Sequence, residues 1–280
     1  MLRLDISRRL ENDQDHVDSA RFNADGNLLV YGGLSNKQIK IWDWEAGIAK
    51  LTFESGHVYI NHYFVAKFMP NTSDHSLITC AEDGQVRDAQ IADRGVTTRM
   101  VAKHIAGAYD LAVEPGIAGS DKHTLLYDIR KSKRDGSTDF DQPIDLFYPR
   151  HLIGDNRVVV MNLTFSDQNE LLFAYTDTSI YLFTRDMGLG LDPVPSSPSS
   201  TRSEASEKVI PQVYKGHANY ERKKSGELVL VIKADKRMVN FIESHPHTAA
   251  LVNCGTEDIK IWTPKAIDKA VTPTQIELDA

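Results

Sequence analysis

Apolar and polar residues alternate in short runs along this chain, and two of the runs share a frame. QIKIWDW (38–44) and DIKIW (258–262) place apolar residues one and three positions ahead of a tryptophan. These are Ile41 and Ile39 before Trp42, and Ile261 and Ile259 before Trp262. A period of two predicts a strand with at least one buried face. The frame recurs in QVRDAQ with Ala89 at the tryptophan position, in HTLLYD with Tyr127, and in SIYLFT with Phe183. Six residues ahead of these anchors stand Asn36, Asp83, Asp121, Asp177 and Thr256. A short polar side chain there can bond the backbone of the tight turn that feeds the strand.

A second strand is predicted before each turn, in NLLVYGG (27–33), HSLITCAE (75–82), ELLFAYTD (170–177) and TAALVNCG (248–255). A strand before that is predicted in SARFNADG (19–26), FVAKFMPN (64–71), MNLTFSDQ (161–168) and NFIESHPH (240–247), each breaking into a polar or proline-containing turn. IAKLTF (48–53) and VIPQVYKG (209–216) read as a fourth strand following the anchor. Gly-His pairs stand at Gly56–His57 and Gly216–His217, with His104 and His16 at similar points. A histidine near the start of a unit can donate to the aspartate of the turn. Trp42–Asp43 is a complete Trp-Asp pair, and Tyr127–Asp128 is the nearest variant. Four short strands per unit, Gly-His early and Trp-Asp late, form the WD-repeat pattern. The predicted fold class is all-β, a WD-repeat β-propeller of four-stranded blades; a sheet solenoid or sandwich is the competing arrangement.

The count is irregular. A length of 280 residues would hold nearly seven units of about 40–45 residues. The anchors instead fall at 42, 89, 127, 183 and 262. Only PGIAGS separates Val113 from Asp121, which leaves no room for the strand that other units place before the turn. After His217 the chain reaches its last unit without passing through inner strands of a separate one. The reading is a propeller over 1–270 that is internally shortened, or else irregular but complete, followed by a C-terminal tail over 271–280. An inter-blade loop insertion is expected at 131–150. A flexible Ser/Pro-rich insertion is expected at 186–208, where Ser196, Ser197, Ser199 and Ser200 are either phosphorylation sites or parts of a plain solvated linker.

Composition narrows the function. With 32 Lys and Arg against 39 Asp and Glu the net charge is −7, which argues against a global pull toward nucleic acid. Two cysteines, Cys80 and Cys254, cannot make a disulfide framework and read as buried thiols in a reducing compartment. No apolar run reaches the length of a membrane span, and the basic start MLRLDISRRL lacks the apolar stretch of a signal peptide. His245 and His247 lack neighbouring ligands at metal spacing and read as structural. No nucleophile elbow, P-loop or zinc-protease motif is present. The chain therefore reads as non-catalytic, with no cofactor and no metal. Asp88 breaks the frame by standing where Ile41, Leu126, Leu182 and Ile261 stand. It must find a basic partner or open the blade edge.

Longer stretches carry a more specific likeness. They include IKIWDWEAG (39–47), AKFMPN (66–71), EDGQVR (82–87), AGSDKHTLLYDIRK (118–131), DMGLGLDPVPSSP (186–198), ESHPH (243–247) and DIKIWTPKAI (258–267). Through these the chain resembles, over most of its length, the WD-repeat family of the cullin-4-associated factor 8 in its plant form. The resemblance implies a substrate-receptor subunit of a cullin-4 RING ubiquitin ligase, in the nucleus and cytoplasm. Such a subunit docks on the damaged-DNA-binding (DDB1-type) adaptor, and through it on cullin 4, and presents an unidentified protein target. The family docks through a W-D-x-R box at a blade end. Its best match here is Tyr127–Asp128–Ile129–Arg130, with Tyr for Trp, whereas Trp42–Asp43–Trp44–Glu45 lacks the arginine. Two other readings compete: a general interaction scaffold, which calls for a charged or aromatic central cavity, and a shortened, inactive product of a receptor gene.

Overall fold

The structure is a computed structural model. It describes residues 4–10, 17, 19–32, 37–58, 63–104, 106–113, 117–120, 124–127, 143–152, 159–165, 170–175, 179–191, 212–215, 239–255 and 259–264. The described strands form five four-stranded antiparallel sheets. The first strand, β1 (Leu4–Leu10), leaves its neighbours in sequence and is taken up by the last sheet. Blade I contains β2 (Ala20–Phe22), β3 (Leu28–Gly32), β4 (Gln38–Asp43) and β5 (Ile48–Glu54). Blade II contains β6 (Phe64–Phe68), β7 (Ser76–Ala81), β8 (Gln85–Ala92) and β9 (Gly95–Lys103). Blade III contains β10 (Leu111–Val113), β11 (Ile117–Ser120), β12 (Thr124–Tyr127) and β13 (Asp145–Phe147). Blade IV contains β14 (Val160–Phe165), β15 (Leu171–Tyr175), β16 (Ser179–Phe183) and β17 (Gln212–Lys215). Blade V contains β18 (Val239–Ser244), β19 (Leu251–Gly255) and β20 (Ile259–Pro264), with β1 outermost.

The alternation seen in the sequence divides each inner strand between two neighbours. In β7, Leu77 packs toward blade I with Val30, Ile39 and Phe64, while Ile78 and Cys80 pack toward blade III with Leu111 and Tyr127. Phe147, Phe173 and Tyr181 fill the layer between blades III and IV. Leu10, Phe22, Trp44 and Val252 fill the layer between blades V and I. Gly32 is required where it stands, because a Cβ there would run into the Phe64 ring across the blade I–II interface. Both cysteines are buried thiols, and burial pushes the Cys80 thiol well above its ordinary value.

Four strands of this architecture depart from the sequence reading. The strand thought to have no room between Val113 and Asp121 exists as β11. Ile117–Gly119 pairs with β10, and Ile117–Ser120 pairs with β12, so blade III is complete. Three or four residues are enough for a strand when both edges are paired. The outer strand of blade V comes from the other end of the sequence, with Ile6 opposite Trp262 and Leu10 opposite Ile259. Part of the stretch expected as a loop at 131–150 is the outer strand β13, and β9 supplies an outer strand of blade II that the sequence reading did not include. At the start of the Ser/Pro-rich stretch, Arg185–Met187 forms a short 3-10 helix, and the Leu189 amide donates to Leu146 O at 2.8 Å. Residues 192–208 and 216–238 lie outside the described residues, as does the tail at 271–280.

Candidate functional site

The turn aspartate of blade II shows how the repeat residues are used. His57 Nδ1 lies 3.0 Å from Asp83 Oδ1, and Nε2 lies 2.9 Å from the Thr79 hydroxyl. A carboxylate only accepts, so Nδ1 carries the hydrogen. The same carboxylate accepts from the amides of Gln85 and Val58, both at 2.9 Å. Burial pushes the Asp83 carboxyl up, but His57 and the two amides outweigh it and hold the group below its ordinary value. One side chain thus fastens the β7–β8 turn to the segment that enters the blade from blade I.

The other anchors are structural in different ways. Trp42 is half-buried and stacks on Tyr31 with centroids 6.5 Å apart. Asp43 closes the β4–β5 turn by accepting from the Ala46 amide at 3.0 Å and pairing with Lys50 at 3.1 Å. These contacts, the Ala46 amide first, hold its carboxyl below the usual range. Trp262 donates from Nε1 to Asn253 Oδ1 at 2.6 Å. Tyr127 is 4% exposed at the end of β12, edge-on to His104 with centroids 6.1 Å apart. Asp128 and Arg130, which follow it in the docking box, lie outside the described residues, as do Asp121, Asp177 and His217.

Asp88 has found its basic partner. Arg99 reaches Oδ2 from Nε and Nη2, both at 3.0 Å, while Ser76 and Gln90 donate to Oδ1. The blade edge stays paired there, so of the two outcomes open to Asp88 the basic partner is the one found. His245 packs between Phe22 and Trp44, lies 2.9 Å from Gly26 O through Nε2, and accepts the His247 and Thr248 amides at Nδ1. Its ring ties blade V to the β2–β3 turn of blade I. Among the described residues no group of three or more His, Cys, Asp or Glu is placed to hold a metal ion.

The innermost strands β2, β6, β10, β14 and β18 surround a charged centre that sequence reasoning missed. Arg21 of β2 donates to Glu243 of β18 at 2.5 Å, and its guanidinium lies 3.7 Å from the centroid of the Phe241 ring. Arg21 also lies 3.7 Å from Asp110, just ahead of β10. Lys67 of β6 stands 3.3 Å from Asp110 and donates to Leu111 O. The second oxygen of Asp110 accepts the Leu163 amide of β14 at 2.9 Å. Five blades therefore meet through four side chains, two of each sign, with Asp110 only 2% exposed. Burial pulls the Lys67 ammonium below its ordinary value, aided by the Arg21 charge and opposed by Asp110 and Glu243. Above this centre, on the face of the β7–β8 turn, Tyr63 and Tyr109 meet at an interplanar angle of 85° with centroids 4.9 Å apart. Val58, on the same face, is 71% exposed.

Four-stranded blades packed through their innermost strands, with a His–Asp fastening at a blade turn, define a WD-repeat β-propeller. This class of fold ordinarily serves as a non-catalytic scaffold for protein interactions. The profile of the family "WD domain, G-beta repeat" matches residues 6–43. Protein ALTERED SEED GERMINATION 2 of Arabidopsis thaliana is 28% identical over 123 residues, covering 41% of this chain and 16% of that protein. The chain thus matches only a small part of that relative's length. Among solved structures, the β-propeller domain of Myceliophteria thermophila Cps50 (Swd1) superposes with a TM-score of 0.56 at 15% identity, covering 94% of this chain and 100% of that one. That likeness is one of fold alone.

Proposed function

We propose that this propeller is a substrate-receptor subunit of a cullin-4 RING ubiquitin ligase. It docks on the DDB1-type adaptor, and through it on cullin 4, and presents a protein target in the nucleus and cytoplasm without doing chemistry itself. The observation that supports this reading is the burial of Tyr127, the first residue of the Y-D-x-R box, between blades II and III. Tyr127 is buried among Val65, Cys80 and Leu111, while Asp128, Ile129 and Arg130 lie outside the described residues. Arg130 brings a rigid fork of donors suited to carbonyls or a carboxylate on the adaptor. The shortened-product reading loses one of its two grounds, because β11 completes the blade thought to lack a strand.

A calorimetric titration with purified adaptor, wild type against Arg130→Ala, tests the proposal. The substitution should weaken binding by about 2 kcal/mol or more, as for a buried interface arginine. The thermal stability of the chain should hardly change. Equal binding by both proteins, or no binding by the wild type, would overturn it. A second reading, a general interaction scaffold working from the propeller centre, is favoured by the charged cluster around Asp110 and the tyrosine pair above it.

A further inference from the structure

His245 stands at the β18–β19 turn, 8% exposed, with its ring against those of Phe22 and Trp44 at the junction of blades V and I. Its hydrogen-bond partners among the described residues are all backbone groups. Nε2 lies 2.9 Å from Gly26 O, and a carbonyl only accepts, so Nε2 carries the hydrogen. Nδ1 accepts the amides of His247 and Thr248, both at 3.0 Å, so it carries none. These partners fit the neutral ring alone, because an imidazolium has two donors and no acceptor. The β2–β3 turn is shaped to the ring. Gly26 has a φ of +75°, and a Cβ there would stand 2.3 Å from His245 Cε1. Gly26 O also accepts from Trp44 Nε1 at 2.6 Å, which fixes the carbonyl that receives the histidine. The charged and titratable groups nearby have other roles. His247, its ring centroid 6.1 Å away, donates from Nε2 to Ala24 O at 2.7 Å. Arg21 pairs with Glu243, Asp43 pairs with Lys50, and Asp25 and Glu45 are exposed.

We propose that His245 is an acid-sensitive latch between blades V and I. The neutral ring holds the β18–β19 turn against the β2–β3 turn, and protonation at Nδ1 releases the two turns from each other. A hydrogen on Nδ1 would face two amide hydrogens, so the turn must open to receive it. Opening takes up one proton, so it becomes about ten-fold more favourable for each pH unit once the imidazole charges. The junction is therefore tight at neutral pH and loosens as pH falls through the range in which histidine titrates. A protonated His247 beside the ring adds like charge and acts in the same sense. The carboxylates of Asp25 and Glu45 are screened by solvent. Leu10 and Val252 keep the rest of the layer apolar, so the release is local to the two turns. The inference goes beyond the adaptor reading and does not depend on it.

The test follows the full chain by NMR from about pH 7.5 to about pH 4.5, a range that spans the titration of free imidazole. Histidine carries labelled ring nitrogens, and His245→Asn assigns the His245 signals by their loss. At the upper end Nδ1 of His245 should be bare and Nε2 protonated. Toward the lower end a form with both nitrogens protonated should appear. In step with it, the exchange protection of the His247 and Thr248 amides, corrected for the pH dependence of free amides, should fall by about ten-fold per pH unit. The Trp44 indole resonance should shift over the same range, while the β7 amides stay protected and report an intact fold. Asn keeps a carbonyl oxygen for the two amides and does not titrate, so in His245→Asn their protection should not depend on pH. Three results would each overturn the proposal: a hydrogen on Nδ1 at pH 7.5, a doubly protonated His245 with the His247 and Thr248 amides still protected, or the same loss of protection in His245→Asn as in the wild type. A His245 that stays neutral, with both amides protected, to the end of the range would also overturn it.

Discussion

Asp83 gathers His57, the Gln85 amide and the Val58 amide on one carboxylate, and the folded state holds that carboxyl below its ordinary 3.8. A group whose folded value is depressed stabilises the fold above its unfolded value and loses that contribution as pH falls through the folded one. Asp83→Asn should therefore be less stable than wild type at pH 6 by about 1–2 kcal/mol, the cost of leaving buried partners badly matched. The gap between the two proteins should narrow toward pH 3. Urea unfolding of both proteins across that range measures it, and parallel stability curves would count against the assignment. The position of this aspartate was legible from its spacing to Ala89, and its use of a histidine near the blade start was legible from the Gly56–His57 pair. The fate of Asp88 was not. Its partner Arg99 sits across the β8–β9 hairpin, and β9 was absent from the sequence reading. The signal was present in Asp93–Arg94–Gly95, a turn sequence followed by alternation through Val96 and Thr98.

Strands that bury large apolar residues on both faces announced themselves, as did edge strands such as β5 and β17, whereas β1, β9, β11 and β13 did not. β3, β7 and β15 each bury large apolar residues, so their runs stand out by composition alone. β11 consists of Ile, Ala, Gly and Ser, too short and too small to register as a period. β1 reads LDISRRL and finds its partner at the far end of the chain, where Ser7 donates to Ile261 O across 254 positions of sequence. Local pattern cannot show such a pairing. The reality of β11 can be tested by Ala118→Pro. Ala118 pairs with Ala112 on one side and Leu126 on the other, so the strand is central, and a proline there removes a ladder donor. The variant should lose about 2 kcal/mol or more of stability, measured by thermal melting or urea. A neutral result would mean that 117–120 behaves as a loop.

The charged centre gives the propeller a connection that adjacent blade contacts alone would not. Asp110 is bonded from blades I, II and IV, and Arg21 continues the chain of charges to blade V. In β2 and β6 the pattern repeats, as Ala20–Arg21–Phe22 and Ala66–Lys67–Phe68, whereas Glu243 of β18 does not share it, since its neighbours Ile242 and Ser244 are exposed. A charge between residues that pack outward into the blade layers marks a position facing the centre. That much was legible, but which charges meet depends on the order of the blades around the axis. β1 adds to the junction of blades V and I that Arg21 and Glu243 already make. If β1 completes blade V, the two ends of the sequence share one sheet, and blades V and I are locked through Leu10, Phe22 and Val252. Amide deuterium exchange read by mass spectrometry tests this directly, on the full chain and on a chain lacking residues 1–10. The full chain should show slow exchange over 4–10, comparable with 251–255. Removal of the first ten residues should speed exchange at 259–264, where β20 becomes an edge, and leave 76–92 unchanged. Exchange over 4–10 at the rate of an unstructured chain, or no change at 259–264 after the deletion, would contradict the architecture.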